Sequence, residues 1–236
     1  TIREANTQSM NIVAAKTISD VTPKTSFDYL TKLGFSTLVS NEFTSNGNVY
    51  TDITQSLALG GLTYGVTNME LTAAYASIAN GGMYNKPVLY TKVVDQNGNV
   101  LLSNNPKKKR IMKSSTAFLL TDAMKDVIAK GTGKDAKLSS PMSVAGKTGT
   151  TSNNYDYWFS GYTPYHTASI WMGYDNNTNF NSENTHKKLW AKIMNQIIQT
   201  KSEKTKNFSK PSNIVKAKIC KESGKLAIKG VCDHDP

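Results

Sequence analysis

Between residues 142 and 174 the chain turns β-rich. Ser143-Val144-Ala145, Trp158-Phe159-Ser160-Gly161-Tyr162 and Ala168-Ser169-Ile170-Trp171-Met172-Gly173 carry branched and aromatic side chains, and the turn formers Ser152-Asn153-Asn154 and Thr163-Pro164 separate them. Connections this short join antiparallel neighbours, so the three runs are expected to be adjacent strands of one sheet. Helical patterns flank them. One helix is expected from Ser114 or Ser115 to just before Gly131, with Leu120, Met124, Val127 and Ile128 on one face; another spans residues 185–199, with Leu189, Ile193 and Ile197 inward. Helices before and after a mainly antiparallel sheet make the fold class α+β rather than a βαβ repeat.

The N-terminal half supplies more helix signals. Thr1-Ile2-Arg3-Glu4 is a capping box opening a helical stretch that runs toward Ser19, with Ser9-Met10-Asn11 either interrupting it or lying within it. Thr22-Pro23 caps a second helix, with Phe27, Leu30 and Leu33 on its core face and Gly34 at its end. Residues 36–54 form a polar, Asn- and Ser-rich stretch. Thr67-Asn68-Met69-Glu70 is a second capping box, followed at helical spacing by Leu71, Ala74, Tyr75 and Ile78 and closed by Gly81-Gly82. Two strands around Asn97-Gly98, residues 87–95 and 100–102, read as a hairpin. Lys107-Lys108-Lys109-Arg110 reads as a solvated loop, with an anionic-partner patch as the alternative. Residues 201–212 form a Lys-rich linker without periodicity, and 214–231 a small hairpin around Ser223-Gly224.

Charge narrows the function. The 236 residues carry a net +11, and Arg3 and Arg110 are the only arginines, so lysine supplies 26 of the 28 basic side chains. Readers of bases and phosphates favour the arginine fork, so no nucleic-acid partner is expected. A lysine surface suits work near anionic polymers or lipid headgroups. The two cysteines, Cys220 and Cys232, have neither CxxC spacing nor a histidine at ligand distance in sequence, so no metal is expected. No apolar run approaches the roughly eighteen residues of a membrane span. The chain opens without Met, which reads as a fragment of something longer.

Chemistry concentrates at Ala145-Gly146-Lys147-Thr148-Gly149-Thr150-Thr151. On a strand, Lys147 and Gly149 point to one face and Thr148 and Thr150 to the other, unless twist or an edge position lets both hydroxyls reach a cleft. Gly149 lets a ligand backbone approach and pair as an added strand. A cation and two hydroxyls beside such a backbone suit a peptide with a free carboxylate.

With Ser9-Met10-Asn11 before it, Lys147-Thr148-Gly149 makes the sequence resemble the penicillin-binding proteins and serine β-lactamases, whose motifs are Ser-x-x-Lys, Ser-x-Asn and Lys-Thr-Gly, in that order. Gln8-Ser9-Met10-Asn11-Ile12, Ala58-Leu59-Gly60-Gly61 with Gly65-Val66-Thr67, Ala79-Asn80-Gly81-Gly82, Gly131-Thr132-Gly133, Trp158-Phe159-Ser160-Gly161-Tyr162 and Trp171-Met172-Gly173-Tyr174-Asp175 are similar to the transpeptidase domain of bifunctional, class A penicillin-binding proteins. The resemblance covers about residues 1–200 as the C-terminal portion of that domain, leaving 201–236 as linker and tail. The tail around Cys220 is similar more weakly.

No Ser-x-x-Lys occurs in the 236 residues. The resemblance therefore places the acyl-accepting serine and its lysine upstream, on a segment of the same protein outside this sequence or on a separate nicked piece, and places any membrane anchor there too. It implies a D,D-transpeptidase on the extracytoplasmic face of the cell membrane, acting on peptidoglycan stem peptides ending in D-Ala-D-Ala, captured by β-lactams and needing no cofactor. Ser9 would relay a proton, Asn11 would hold the acyl side, and Lys147 would keep the site positive and orient Ser9. The hydroxyls of Thr148 and Thr150 would receive the terminal carboxylate beside Gly149, and the Thr150 N–H would supply one arm of the oxyanion hole. A β-lactamase would need a positioned hydrolytic base; the class A form carries Asp where Met10 stands, and its Glu-x-x-Leu-Asn loop is absent. A non-catalytic β-lactam sensor or interaction domain is the third reading.

Other residues carry blander expectations. Trp158, Phe159 and Trp171 read as packing, Tyr155 and Tyr157 as either acceptor-side or surface residues, and His166, His186 and His234 have no partner spacing. Cys220 and Cys232 flank the predicted hairpin, and an extracytoplasmic location would allow them to pair.

Overall fold

The computed structural model describes residues 1–43, 46–180, 184–220 and 223–230. Its centre is the three-stranded antiparallel sheet β7(Ala145–Thr150), β8(Asp156–Tyr162) and β9(Thr167–Gly173), in that spatial order. Register pairs Lys147 with Ser160, Gly149 with Trp158, and Trp158 with Trp171. The short turns have produced the neighbours expected of them. Since β7 pairs only with β8 among the described strands, the Lys-Thr-Gly segment lies at a sheet edge.

Helix α6(Thr185–Thr200) covers one face of the sheet. Trp190, with no exposed surface, meets Phe159 edge-on at 5.1 Å and donates its indole N–H to Ala168 O at 2.9 Å. Met194, Ile198, Leu138, Met142 and Val144 complete that core. The inward stripe is therefore Trp190, Met194 and Ile198, one residue on from the expected Leu189, Ile193 and Ile197; Leu189 and Ile193 are exposed and Ile197 half-buried. The two stripes are neighbours on the helix, and the larger burial of an aromatic side chain decides between them.

Helices α4(Asn68–Ala79) and α5(Ser114–Ala129) pack on the other face, where Met124, Ala145 and Tyr162 meet Tyr75 and Ile78. Buried Tyr162 shares a 2.8 Å hydrogen bond with Thr121. On α5 the expected Met124, Val127 and Ile128 are buried, but Leu120 is exposed and Ala117 and Thr121 take its place.

The capping boxes act as expected. Thr1 Oγ1 accepts from the Glu4 N–H at the start of α1(Ile2–Gln8), and Thr67 Oγ1 from the Glu70 N–H at the start of α4. The helical stretch after Thr1 is two helices, α1 and α2(Asn11–Val21), parted at Ser9-Met10. Thr22 caps α3(Pro23–Lys32), whose Phe27 is buried against Ile18 and Leu57.

The polar stretch carries secondary structure and a buried carboxylate on either side of residues 44 and 45. It contains the paired strands β1(Glu42–Phe43) and β2(Val49–Tyr50), and buried Asp52 accepts from the N–H groups of Val39 and Thr63 at 2.8 and 2.7 Å. The hairpin around Asn97-Gly98 forms, as β4(Lys92–Val94) and β5(Val100–Ser103). The basic run is not a loop: β6(Lys108–Arg110) pairs with β3(Met83–Asn85), and Arg110 donates to Gly81 O and Met112 O. Its side chains remain exposed, because a two-stranded edge ribbon needs only its backbone paired.

Beyond α6 the linker folds back. Glu203 pairs with His166 at 2.5 Å, Ser143 N–H donates to Lys206 O, and Phe208 meets Tyr162 edge-on. The C-terminal hairpin appears as one bridge, Ile219 with Leu226, closed by Gly224 N–H to Cys220 O. Val231, Cys232, and with it the Cys220–Cys232 pairing, and His234 lie outside the described residues.

Candidate active site

The site begins at the break between α1 and α2. Met10 N–H donates back to Ala5 O at 2.9 Å, and Ser9 itself sits in the left-handed region at φ 56°, ψ 47°. Glycine is the low-energy residue at such a helix terminus, so a serine held there is a strained position of the kind that accompanies function. The conformation ends α1 and lets α2 start at Asn11, projecting the Ser9 side chain from the corner between them.

Three contacts fix α1 against the body. The Arg3 guanidinium reaches Asp126 at 2.6 Å and Asp122 at 2.7 Å on α5, and its field and hydrogen bonds hold the Asp126 carboxyl below the usual carboxylate range. Thr7, fully buried, keeps its hydroxyl on Arg3 O within α1, while its carbonyl accepts from the Thr132 N–H at 3.3 Å. Gly131 closes on the helix so tightly that a Cβ there would stand 2.2 Å from Thr7 O, which is why the α5 exit needs glycine.

Opposite Ser9 stands the edge strand β7. Lys147 Nζ donates to Ser9 Oγ at 2.7 Å and to Thr148 O at 2.9 Å. Its ammonium is largely desolvated, and burial pushes its pKa from 10.5 down to about 8. Thr148 points to the other face, where its hydroxyl lies 2.7 Å from that of Thr132. Thr150 is exposed at the end of the strand. At Gly149 a Cβ would meet only Trp158 Cβ at 3.4 Å, ordinary contact, so packing within the chain does not demand glycine there. Its bare backbone leaves space on the Lys147 side of the strand.

Of the residues singled out from the sequence, Ser9 and Lys147 are thus hydrogen-bonded, and Thr148, Gly149 and Thr150 follow along one strand edge. Asn11 is the exposed first residue of α2, two positions from Ser9. Tyr157 belongs to neither of its expected places: it is buried between His186, at 5.4 Å ring to ring, and Phe180. His186 lies in that core, with its pKa lowered to about 4 mainly by desolvation. Two residues were missed. Thr132 joins the site through Thr148, and Lys187 donates to Thr132 O at 3.1 Å. The Gly-x-Gly frame around Thr132 was the available signal. A groove of about 1110 Å³ between α4 and the β8–β9 turn contains none of the candidate residues.

The site is thus an edge strand whose largely desolvated lysine is bonded to a serine at a helix break 138 residues earlier in the chain. Residues 1–199 match the family model described as the penicillin-binding protein transpeptidase domain, and the chain belongs to that family. It is 34% identical over 228 residues to penicillin-binding protein 1A of Clostridium botulinum, covering 95% of this chain and 26% of that protein. With penicillin-binding protein 1A/1B of Bacillus subtilis it shares 32% over 249 residues, covering 97% and 26%. The chain thus spans about a quarter of the length of these relatives. Among solved structures, penicillin-binding protein 1A of Haemophilus influenzae superposes with a TM-score of 0.74 at 23% identity, covering 98% of this chain and 38% of that one. The PonA1 protein of Mycobacterium tuberculosis in complex with penicillin V gives the same score and identity, covering 91% and 60%. These likenesses show the α+β transpeptidase fold.

Proposed function

We propose that this chain supplies the proton-relay and carboxylate-binding half of a peptidoglycan D,D-transpeptidase whose acyl-accepting serine lies outside these 236 residues. The observation that carries the reading is the 2.7 Å bond from Lys147 to Ser9, which joins two motifs across 138 residues. The serine oxygen attacks the carbonyl carbon between two D-alanines of a stem peptide. The C–N bond breaks, the departing amine takes its proton through Ser9, and an ester remains. An amino group of a neighbouring stem then attacks the ester and expels the serine, with the proton returning by the same relay.

Lys147 keeps the relay hydroxyl oriented and the site positive, Asn11 donates to the acyl peptide, and Thr148 and Thr150 take the terminal carboxylate. Gly149 gives the peptide backbone room to lie along β7, and the Thr150 N–H forms one arm of the oxyanion hole. Residues 1–200 act as the catalytic portion and 201–236 as an appendage, at the extracytoplasmic face of the membrane with the anchor upstream. The family membership and the penicillin V complex of a protein of the same fold support β-lactams as covalent inhibitors.

The test is fluorescent-penicillin labelling of the complete protein that carries this chain, followed by proteolysis and mass spectrometry. The adduct is expected on a serine outside residues 1–236, and Ser9→Ala or Lys147→Ala should slow its formation by orders of magnitude. An adduct on a serine within Thr1 to Pro236 overturns the assignment. The absence of any adduct means a non-catalytic module, and rapid release of hydrolysed penicillin means a β-lactamase.

A further inference from the structure

The Gly131-Thr132-Gly133 turn touches both halves of the site, yet the chemistry above gives it nothing to do. Thr132 is bonded on three sides. Its N–H donates to Thr7 O at 3.3 Å, two residues before Ser9; its hydroxyl meets that of Thr148 at 2.7 Å; its carbonyl accepts from Lys187 at 3.1 Å. The Lys187 side chain is only 11% exposed and faces Asp135 at 3.8 Å, so the cation that holds the carbonyl is itself held. Gly131 allows the turn to lie against α1, as its 2.2 Å Cβ clearance shows. One residue therefore links α1, β7 and α6.

Each hydroxyl has a single proton, so in the Thr132–Thr148 pair one oxygen donates and the other accepts. Were Thr148 to donate to Thr132, it would turn a lone pair toward an arriving carboxylate and repel it. With Thr132 donating, the Thr148 proton is free to point at the anion. Of the two orders, only Thr132 to Thr148 to carboxylate leaves every proton between two oxygens.

We propose that Thr132 is a positioning residue that donates its hydroxyl proton to Thr148 Oγ1, so that Thr148 presents its own proton to the free carboxylate of a peptide or β-lactam ligand. The proposal rests on the reading of Thr148 as a carboxylate receiver. The Lys187 bond fixes the peptide plane of Thr132, and the Thr7 bond sets its height above β7, so the hydroxyl is aimed before a ligand arrives.

The experiment measures acylation of the complete protein by a penicillin and by its methyl ester, which lacks the anion. Thr132→Val removes the hydroxyl while keeping the side-chain shape; it should lower the free-acid rate constant about 5- to 10-fold, the effect of one hydrogen bond, and change the ester rate less than about twofold. Thr132→Ser should restore the preference for the acid, and Thr132→Cys, a weaker donor of similar size, should fall between. Equal losses on acid and ester, or an unchanged acid rate in Thr132→Val, overturn the proposal. If Thr132→Val does not fold, Thr132→Cys against Thr132→Ser decides, and equal acid-to-ester ratios in the two overturn it. Thr148→Val separates the two levels. If it keeps the acid preference, Thr148 is not the receiver and both readings fall; if it loses that preference while Thr132→Val retains it, the functional reading stands and this proposal falls.

Discussion

Replacing Lys147 by methionine should alter how stability depends on pH. In the unfolded chain this amine titrates near 10.5; in the folded protein, burial brings it down to about 8. Between those values the unfolded chain holds a proton that the folded protein does not, so stability rises with pH through the window and is flat below about 8, where both states are protonated. Moving from pH 7 to pH 9.5 should therefore add about 2 kcal/mol to the wild-type protein, a contribution absent from Lys147→Met. Other groups titrate alike in both proteins and cancel in the difference. At neutral pH the folded protein must still hold this desolvated amine charged, so the variant should be the more stable protein there as well as the less active one. Urea unfolding followed by tryptophan fluorescence, at both pH values and for both proteins, measures the double difference. A wild-type gain equal to that of Lys147→Met, or a wild-type loss, refutes the reasoning.

The same titration predicts a fall in the penicillin acylation rate as pH rises through about 8, with the limb moved upward in Lys147→Arg; a rate constant from pH 7 to pH 9.5 would contradict a charged Lys147. Gly146→Ala should destabilise by about 1–3 kcal/mol, because its Cβ would stand 2.8 Å from Ser160 O and Phe159 Cζ and 2.9 Å from Gly161 Cα on the paired strand; a denaturation midpoint like that of the wild type would show that the strands can separate freely. Asp52→Ala should cost about 2–4 kcal/mol, since it strands the Val39 and Thr63 N–H groups, and hydrogen exchange at those two amides should rise well above that at β8.

Features carried by short-range chemistry were legible in the sequence. Thr1 and Thr67 cap their helices because a capping box satisfies its donors within four residues, and β7, β8 and β9 pair in order because their turns permit little else. Features settled by tertiary packing were not. Trp190 rather than Leu189 faces the sheet because Phe159 and Ala168 wait there, and periodicity alone cannot choose between adjacent apolar stripes. Asp52 lay in a stretch whose polarity gave no sign of burial, its buried role fixed by backbone donors at Val39 and Thr63. At the site, Ser9 and Lys147 were found through motif resemblance, and their bond spans a distance in sequence that no local pattern encodes. Thr132 and Lys187 escaped notice because a turn threonine and a helix-start lysine are ordinary until the fold places them against Thr148.

The bond from Lys147 to Ser9 closes a loop of 138 residues, and among the described strands β7 pairs with β8 alone, which ends at Tyr162. A chain made from its N-terminus thus completes α1 and presents Ser9 long before the strand that will face it exists. A chain halted short of residue 162 lacks the end of the strand that pairs with β7, so the Lys147–Ser9 contact depends on pairing made long after α1 is synthesised. A product cut before β7 therefore carries Ser9 with no lysine beside it, and on the proposed reading its relay hydroxyl has nothing to orient it.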